Sequence, residues 1–190
     1  GNRRLSRKRL YQVEKLGQAI DIGAAAGIAN AVKSATQHRQ GQEIITEIAI
    51  DLGTSKDTII GCAGGADRAI GKASTVSYVT QLTKARYGTI TEIRAVLVEA
   101  PAAGNTNIEL EHGTAADKEP NQSVGGTKIA QNLTTVGQDE STAYDTHVTL
   151  GQNGTAHYLY IVSGNSGVAT KFTSGKLLIY IHGFATPDDL

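Results

Sequence analysis

The sequence has no tryptophan, no methionine, a single cysteine and three prolines in 190 residues, and aromatic side chains make up 5% of it. Each shortage excludes something. With Cys62 alone, no intrachain disulfide framework can form. That suits a protein folded in a reducing cytosol or in a particle assembled there. No apolar run approaches the ~18 residues that a membrane-crossing helix needs, and no apolar stretch of the signal-peptide kind follows the charged start. Gly1, in a chain without methionine, is read as the residue left after removal of an initiator. The formal charge is zero, with 18 basic and 18 acidic residues, so whole-chain charge argues against a general nucleic-acid binder.

What is present points to β structure with a charged appendage. Glycine is frequent, with 22 residues, and it is interleaved with threonine, asparagine and serine, a composition of many turns and short strands. The expected fold class is all-β, a sandwich of jelly-roll-like type, preceded by a basic N-terminal arm and one short helix. Arg3, Arg4, Arg7, Lys8 and Arg9 are five of the first nine residues. With Lys15 they stand against Glu14 alone in residues 1–15, which leaves 12 basic and 17 acidic residues for the rest. A basic arm on an acidic body suits docking between copies of one chain. Residues 6–18 read as a helix, with Leu10, Tyr11, Val13 and Leu16 roughly on one side and Gly17 at its end. The expected division is an arm and helix at 1–19 and a β-sandwich at 20–190, with a polar excursion at about 113–139.

Along the body, residues 20–35 suit either a packed helix or a loose strand. Residues 43–52 alternate Ile44, Ile48, Ile50 and Leu52 against Ile45, Glu47 and Asp51, the period of a half-buried strand. Residues 74–83 and 89–99 read as strands joined by a hairpin connection at 84–88, with Pro101 ending the second. Residues 107–111 read as a half-exposed strand. The stretch 113–139 is too long for a tight loop and either projects or is structured by contact. Three closing strands are expected at 144–150, 157–162 and 176–184, the last central in its sheet because it is apolar on both faces.

Few residues carry a chemical signature. Residues 65–74 (GADRAIGKAS) have the glycines and lysine of a phosphate-binding loop, but five residues separate the glycines and Ala73 stands where a hydroxyl must reach magnesium. A flexible surface loop is the expected structure. The five histidines show no zinc-type spacing, and the pair His147 and His157 on neighbouring strands reads as a cross-strand polar contact. Cys62 reads as a small buried residue rather than a nucleophile. Glu109 and Glu111 share one strand face, as glycosidase carboxylates do, but acids on an exposed strand edge serve to block edge pairing. A sugar-stacking surface of Tyr144, Tyr158 and Tyr160 is the alternative binding function, weakened by the absence of tryptophan. No catalytic residue, metal site or cofactor is expected, and no membrane or small-molecule partner.

The segments GNRRLSRKRLYQVEKLG, EIITEIAIDLGTSK, QLTKARYGTITEIRAVLVEAPAAG and HYLYIVSG…GKLLIYIHGF together resemble small virion structural proteins of tailed, and especially marine, bacteriophages. That resemblance covers most of the chain and lies in segment order rather than in a diagnostic motif. It implies a β-sandwich or jelly-roll module located in the virion and assembled in the host cytoplasm. The implied function is capsid decoration (cement), with a head–tail connector or tail component as the alternative. It implies an arm that grips a neighbour through Arg3, Arg4, Arg7, Lys8, Arg9, Tyr11 and Lys15. The implied partners are the major capsid protein and copies of the chain itself, a homotrimer being the leading arrangement. Contact with nucleic acid would run through the arm alone.

Overall fold

The computed structural model describes residues 17–62, 64–145, 149–167 and 169–185. The arm residues Arg3, Arg4, Arg7, Lys8, Arg9, Tyr11 and Lys15 lie outside these, as does the expected helix apart from its last two positions. Gly17 has φ +66° and Gln18 is already in a strand. Ten strands follow: β1 (Gln18–Ala19), β2 (Val32–Gln40), β3 (Glu43–Asp51), β4 (Thr80–Gln81), β5 (Thr89–Ala102), β6 (Ile108–Gly113), β7 (Thr127–Leu133), β8 (Asp139–Ala143), β9 (Tyr158–Ser163) and β10 (Ser174–Phe184). They form a six-stranded sheet in the order β1-β2-β3-β10-β5-β8 and a four-stranded sheet in the order β4-β9-β6-β7, with antiparallel pairing throughout. The fold is an all-β sandwich.

Alternation builds it. In β3, Ile44, Ile48 and Ile50 face inward, as do Ile90, Ile93 and Leu97 in β5 and Leu177, Ile179 and Ile181 in β10, and all are buried. Most of them share one apolar cluster with Ile108, Leu110, Leu159 and Ile161 of the smaller sheet, so the two inner faces interdigitate as in other packed sheet pairs. Strand β10 pairs with β3 on one side and β5 on the other along nearly its whole length, so it is central as expected.

Several expectations need correction. The connection at 84–88 is not a hairpin, because β4 belongs to the four-stranded sheet and β5 to the six-stranded one. Instead the chain crosses between sheets through a one-turn helix, α1 (Lys84–Tyr87), capped by Thr83, whose Oγ1 accepts from the Arg86 amide at 3.3 Å. Gly88 ends it at φ +66°, where an added Cβ would collide with the Phe184 carbonyl oxygen, so glycine alone fits. Residues 20–35 are neither helix nor a single strand. They leave the six-stranded sheet after β1 and return to it at Val32, where β2 starts, with a 3-10 turn at Ala29–Ala31 and amide hydrogen bonds from Ala25 and Gly27 to the Tyr78 and Val76 carbonyls. Of residues 74–83, only β4 is strand, and Pro101 lies inside β5 rather than after it. Of the strand expected at 144–150, residues 146–148 lie outside the described residues and the other four are not strand, while β8 lies just before it at Asp139–Ala143. Residues 113–139 take the second of the two forms considered for them. Their first half lies against the smaller sheet, with the Tyr160 hydroxyl donating to the Ala115 carbonyl at 2.7 Å and the Ala69 amide to the Gln122 carbonyl at 3.0 Å. Their second half contains β7 and ends at β8.

Candidate functional site

Strand β6 is the largest departure from the sequence-based reading. It was expected to be half exposed, with Glu109 and Glu111 guarding an edge. It lies between β9 and β7, and all six of its residues are buried. Its two faces differ. Ile108 and Leu110 point into the sandwich core, and Glu109 and Glu111 point out of the opposite face. That outer face is covered by residues 64–71, which were expected to form a flexible surface loop. They are instead pinned by bridges from Arg68 to Ser123 and from Ala69 to Val162, and Ala69 and Ile70 are fully buried.

The covering loop brings Asp67 over the two glutamates. The three carboxylates each place an oxygen so that all lie within 4.8 Å of one another. Among the described residues, Lys128 on β7 is the cation that contacts them, its Nζ lying 2.7 Å from Glu109 Oε2 and 3.1 Å from Asp67 Oδ1. The cross-strand register explains this arrangement: Glu111 stands directly opposite Lys128 on one side and Tyr160 on the other, and directly opposed side chains share a face. Glu109 and Glu111 are 3% and 1% exposed. Burial, followed by the Asp67 carboxylate, holds the Glu111 carboxyl well above the usual carboxylate range. The Lys128 ammonium is pushed up to about 12, chiefly by its hydrogen bond to Glu109.

A second polar group sits on the inner side of the same strand. His112 Nδ1 and His157 Nδ1 lie 2.7 Å apart, so one imidazole donates and the other accepts. Burial lowers both, His112 to about 4. The Tyr144 ring stands edge-on to His112, with centroids 6.0 Å apart. The expected partner of His157 was His147, which lies outside the described residues. The tyrosine stacking surface is not formed, because Tyr144 and Tyr160 are buried and Tyr158 packs on Tyr78 with centroids 5.0 Å apart. Cys62 is buried, with its thiol 2.7 Å from the Ala69 carbonyl and its pKa raised by burial, as expected of a structural residue.

The outer face of the six-stranded sheet is the third feature. Register places Glu43, Glu47, Asp51, Glu92, Glu99 and Asp139 there, with Arg94 and Lys176 as the fixed cations among the described residues. Ala49, Leu178 and Val96 run across its middle, and none of the face's residues is buried. Arg94 is tied into the face: its guanidinium lies 4.5 Å from the Tyr180 ring centre and 3.1 Å from Asp139 Oδ2. Lys176 is paired with Glu99 at 2.5 Å. The face therefore combines an apolar centre with a surplus of negative charge. The chain enters the described region at its edge, where Gly17, Gln18, Gln37, His38 and Arg39 line a cleft of about 380 Å³.

Comparison with protein-family models, with curated proteins and with solved structures gives no match to this chain.

Proposed function

We propose that the protein is a non-enzymatic structural component of a phage virion, a capsid decoration subunit that binds and stabilises the head shell and associates with copies of itself. One observation carries the proposal. A sheet face that no described residue covers, bearing six carboxylates against two cations, belongs to the same chain as an arm with six basic residues and one acidic residue in its first 15. Opposite charges of that size on two parts of one chain favour arm-to-face docking between copies. The apolar row Ala49–Leu178–Val96 offers the dry centre that protein interfaces use. The resemblance in segment order to tailed-phage virion proteins supplies the setting, and a rigid sandwich with a variable arm suits repeated attachment to a shell.

The test is occupancy on shells. Full-length protein and residues 17–190 alone are mixed with expanded capsids and sedimented together. The proposal expects the full chain to co-sediment and the shortened chain to stay in solution with an unchanged far-UV spectrum. Equal occupancy would overturn it. Recovery of the full chain as a ring of six or twelve in the absence of shells would favour a head–tail component instead.

A further inference from the structure

We infer that Asp67, Glu109 and Glu111 form a binding site for one hard divalent cation, calcium by preference, which clamps the loop at 64–71 onto β6. The donor set is all oxygen, as calcium and magnesium require. The three ligand oxygens lie within 4.8 Å of one another, a span compatible with ligands across a calcium ion at bond lengths of about 2.3–2.6 Å. Magnesium, at about 2.0–2.1 Å, would need the group to contract.

Two further observations point to an occupant. Glu111 is 1% exposed; its carboxyl faces that of Asp67, and its Oε2 has neither an N–H or hydroxyl donor nor a cation among the described residues. A buried carboxylate oxygen left in this state is costly. Lys128 does not answer that need, since its contacts are with Glu109 and Asp67. Lys128 is also one ammonium among three carboxyl groups, so acid outnumbers base in the cluster. The site is open from one side: the Asp67 side chain is 42% exposed and that of Glu109 3%. An ion would reach the buried pair past Asp67, and water would complete its shell.

Terbium luminescence and thermal unfolding of the full chain, after treatment with a chelator and at pH 7.5, test this. The chain has seven tyrosines and no tryptophan, and Tyr160 is the cross-strand neighbour of Glu111, so terbium in the site is sensitised by tyrosine excitation. The expected result is terbium emission that saturates at one ion per chain and is displaced by calcium. Calcium at about 100 times Kd is expected to raise Tm by roughly 5–10 °C. Both signals are lost in Glu111→Gln. Asp67→Asn weakens calcium binding at least tenfold, and asparagine tolerates the positive φ of 62° found there, so this variant keeps the fold if Glu111→Gln does not. Absence of sensitised emission and of a calcium-dependent Tm shift in the wild-type chain would overturn the inference. So would the same calcium affinity in Asp67→Asn as in the wild type.

Discussion

Lys128 Nζ and Glu109 Oε2 lie 2.7 Å apart, joining β7 to β6 through a carboxylate that is 3% exposed. Removing the ammonium leaves Glu109 buried without a cation in contact. Lys128→Ala is therefore expected to cost on the order of 1–3 kcal/mol, less than a fully enclosed pair because Lys128 is one-third exposed. Urea unfolding measures it. In a Glu109→Gln background the same change is expected to cost less than half as much, and strictly additive effects would show that the pair is not coupled.

The His112–His157 contact predicts an acid-side loss of stability. Burial places both imidazoles below their ordinary pKa, His112 at about 4. Between pH 6.5 and 4 the unfolded chain therefore binds more protons than the folded one, so this contribution is complete above pH 6.5 and is lost as pH falls towards 4. Among the described residues, the groups in contact with the His112 ring are His157 and the Tyr144 ring, and neither supplies a negative charge in this range. Glu111 contributes with the opposite sign, so the quantity to measure is the difference between wild type and His112→Gln. That difference is expected to narrow by about 2–3 kcal/mol between pH 7 and pH 4. A difference independent of pH would contradict the neutral pair.

Gly88 links α1 to β5 at a positive φ of 66°, beneath the Phe184 carbonyl. Gly88→Ala is expected to destabilise the fold by more than ~1 kcal/mol, since it adds both backbone strain and a clash with main chain. Gly41, also at positive φ but with open space around it, is the control. Alanine there carries the strain without the clash and is expected to cost less.

The outer sheet face predicts a separation of stability from association. Glu47 and Glu92 are half-buried on that face and their neighbours there include His182 and Tyr180. Glu47→Lys combined with Glu92→Lys is expected to shift Tm by only a few degrees, because surface substitutions are usually small in effect. It is expected to weaken arm-dependent association at least tenfold, with a correspondingly flatter dependence on salt. Analytical ultracentrifugation at two salt concentrations reads both.

The parts of the fold legible in the sequence were those where one residue period decides the outcome. Strands β3, β5, β9 and β10 carry alternating or continuous apolar patterns, and they appear with boundaries within a few residues of those expected. Strand β6 fails instructively. The alternation of Ile108 and Leu110 with Glu109 and Glu111 states that two faces differ, but not that both are covered. The cover is a loop some 40 residues earlier in the chain, held by single bridges that leave no periodic trace. The acid cluster was invisible for the same reason: Asp67, Glu109 and Lys128 are brought together by register and a loop fold, not by spacing. At 84–88 the glycine and short polar run read as a hairpin connection, and only the helical turn and the pairing of β4 with β9 show that the chain changes sheet there instead.

The most direct test of the assembly proposal is the native mass of the purified chain with and without residues 1–16, measured by light scattering at low salt. The account predicts a homo-oligomer for the full chain, with a trimer as the leading form. It predicts a monomer with the same thermal transition for the shortened chain. A full-length chain and a shortened chain of equal subunit number would contradict it.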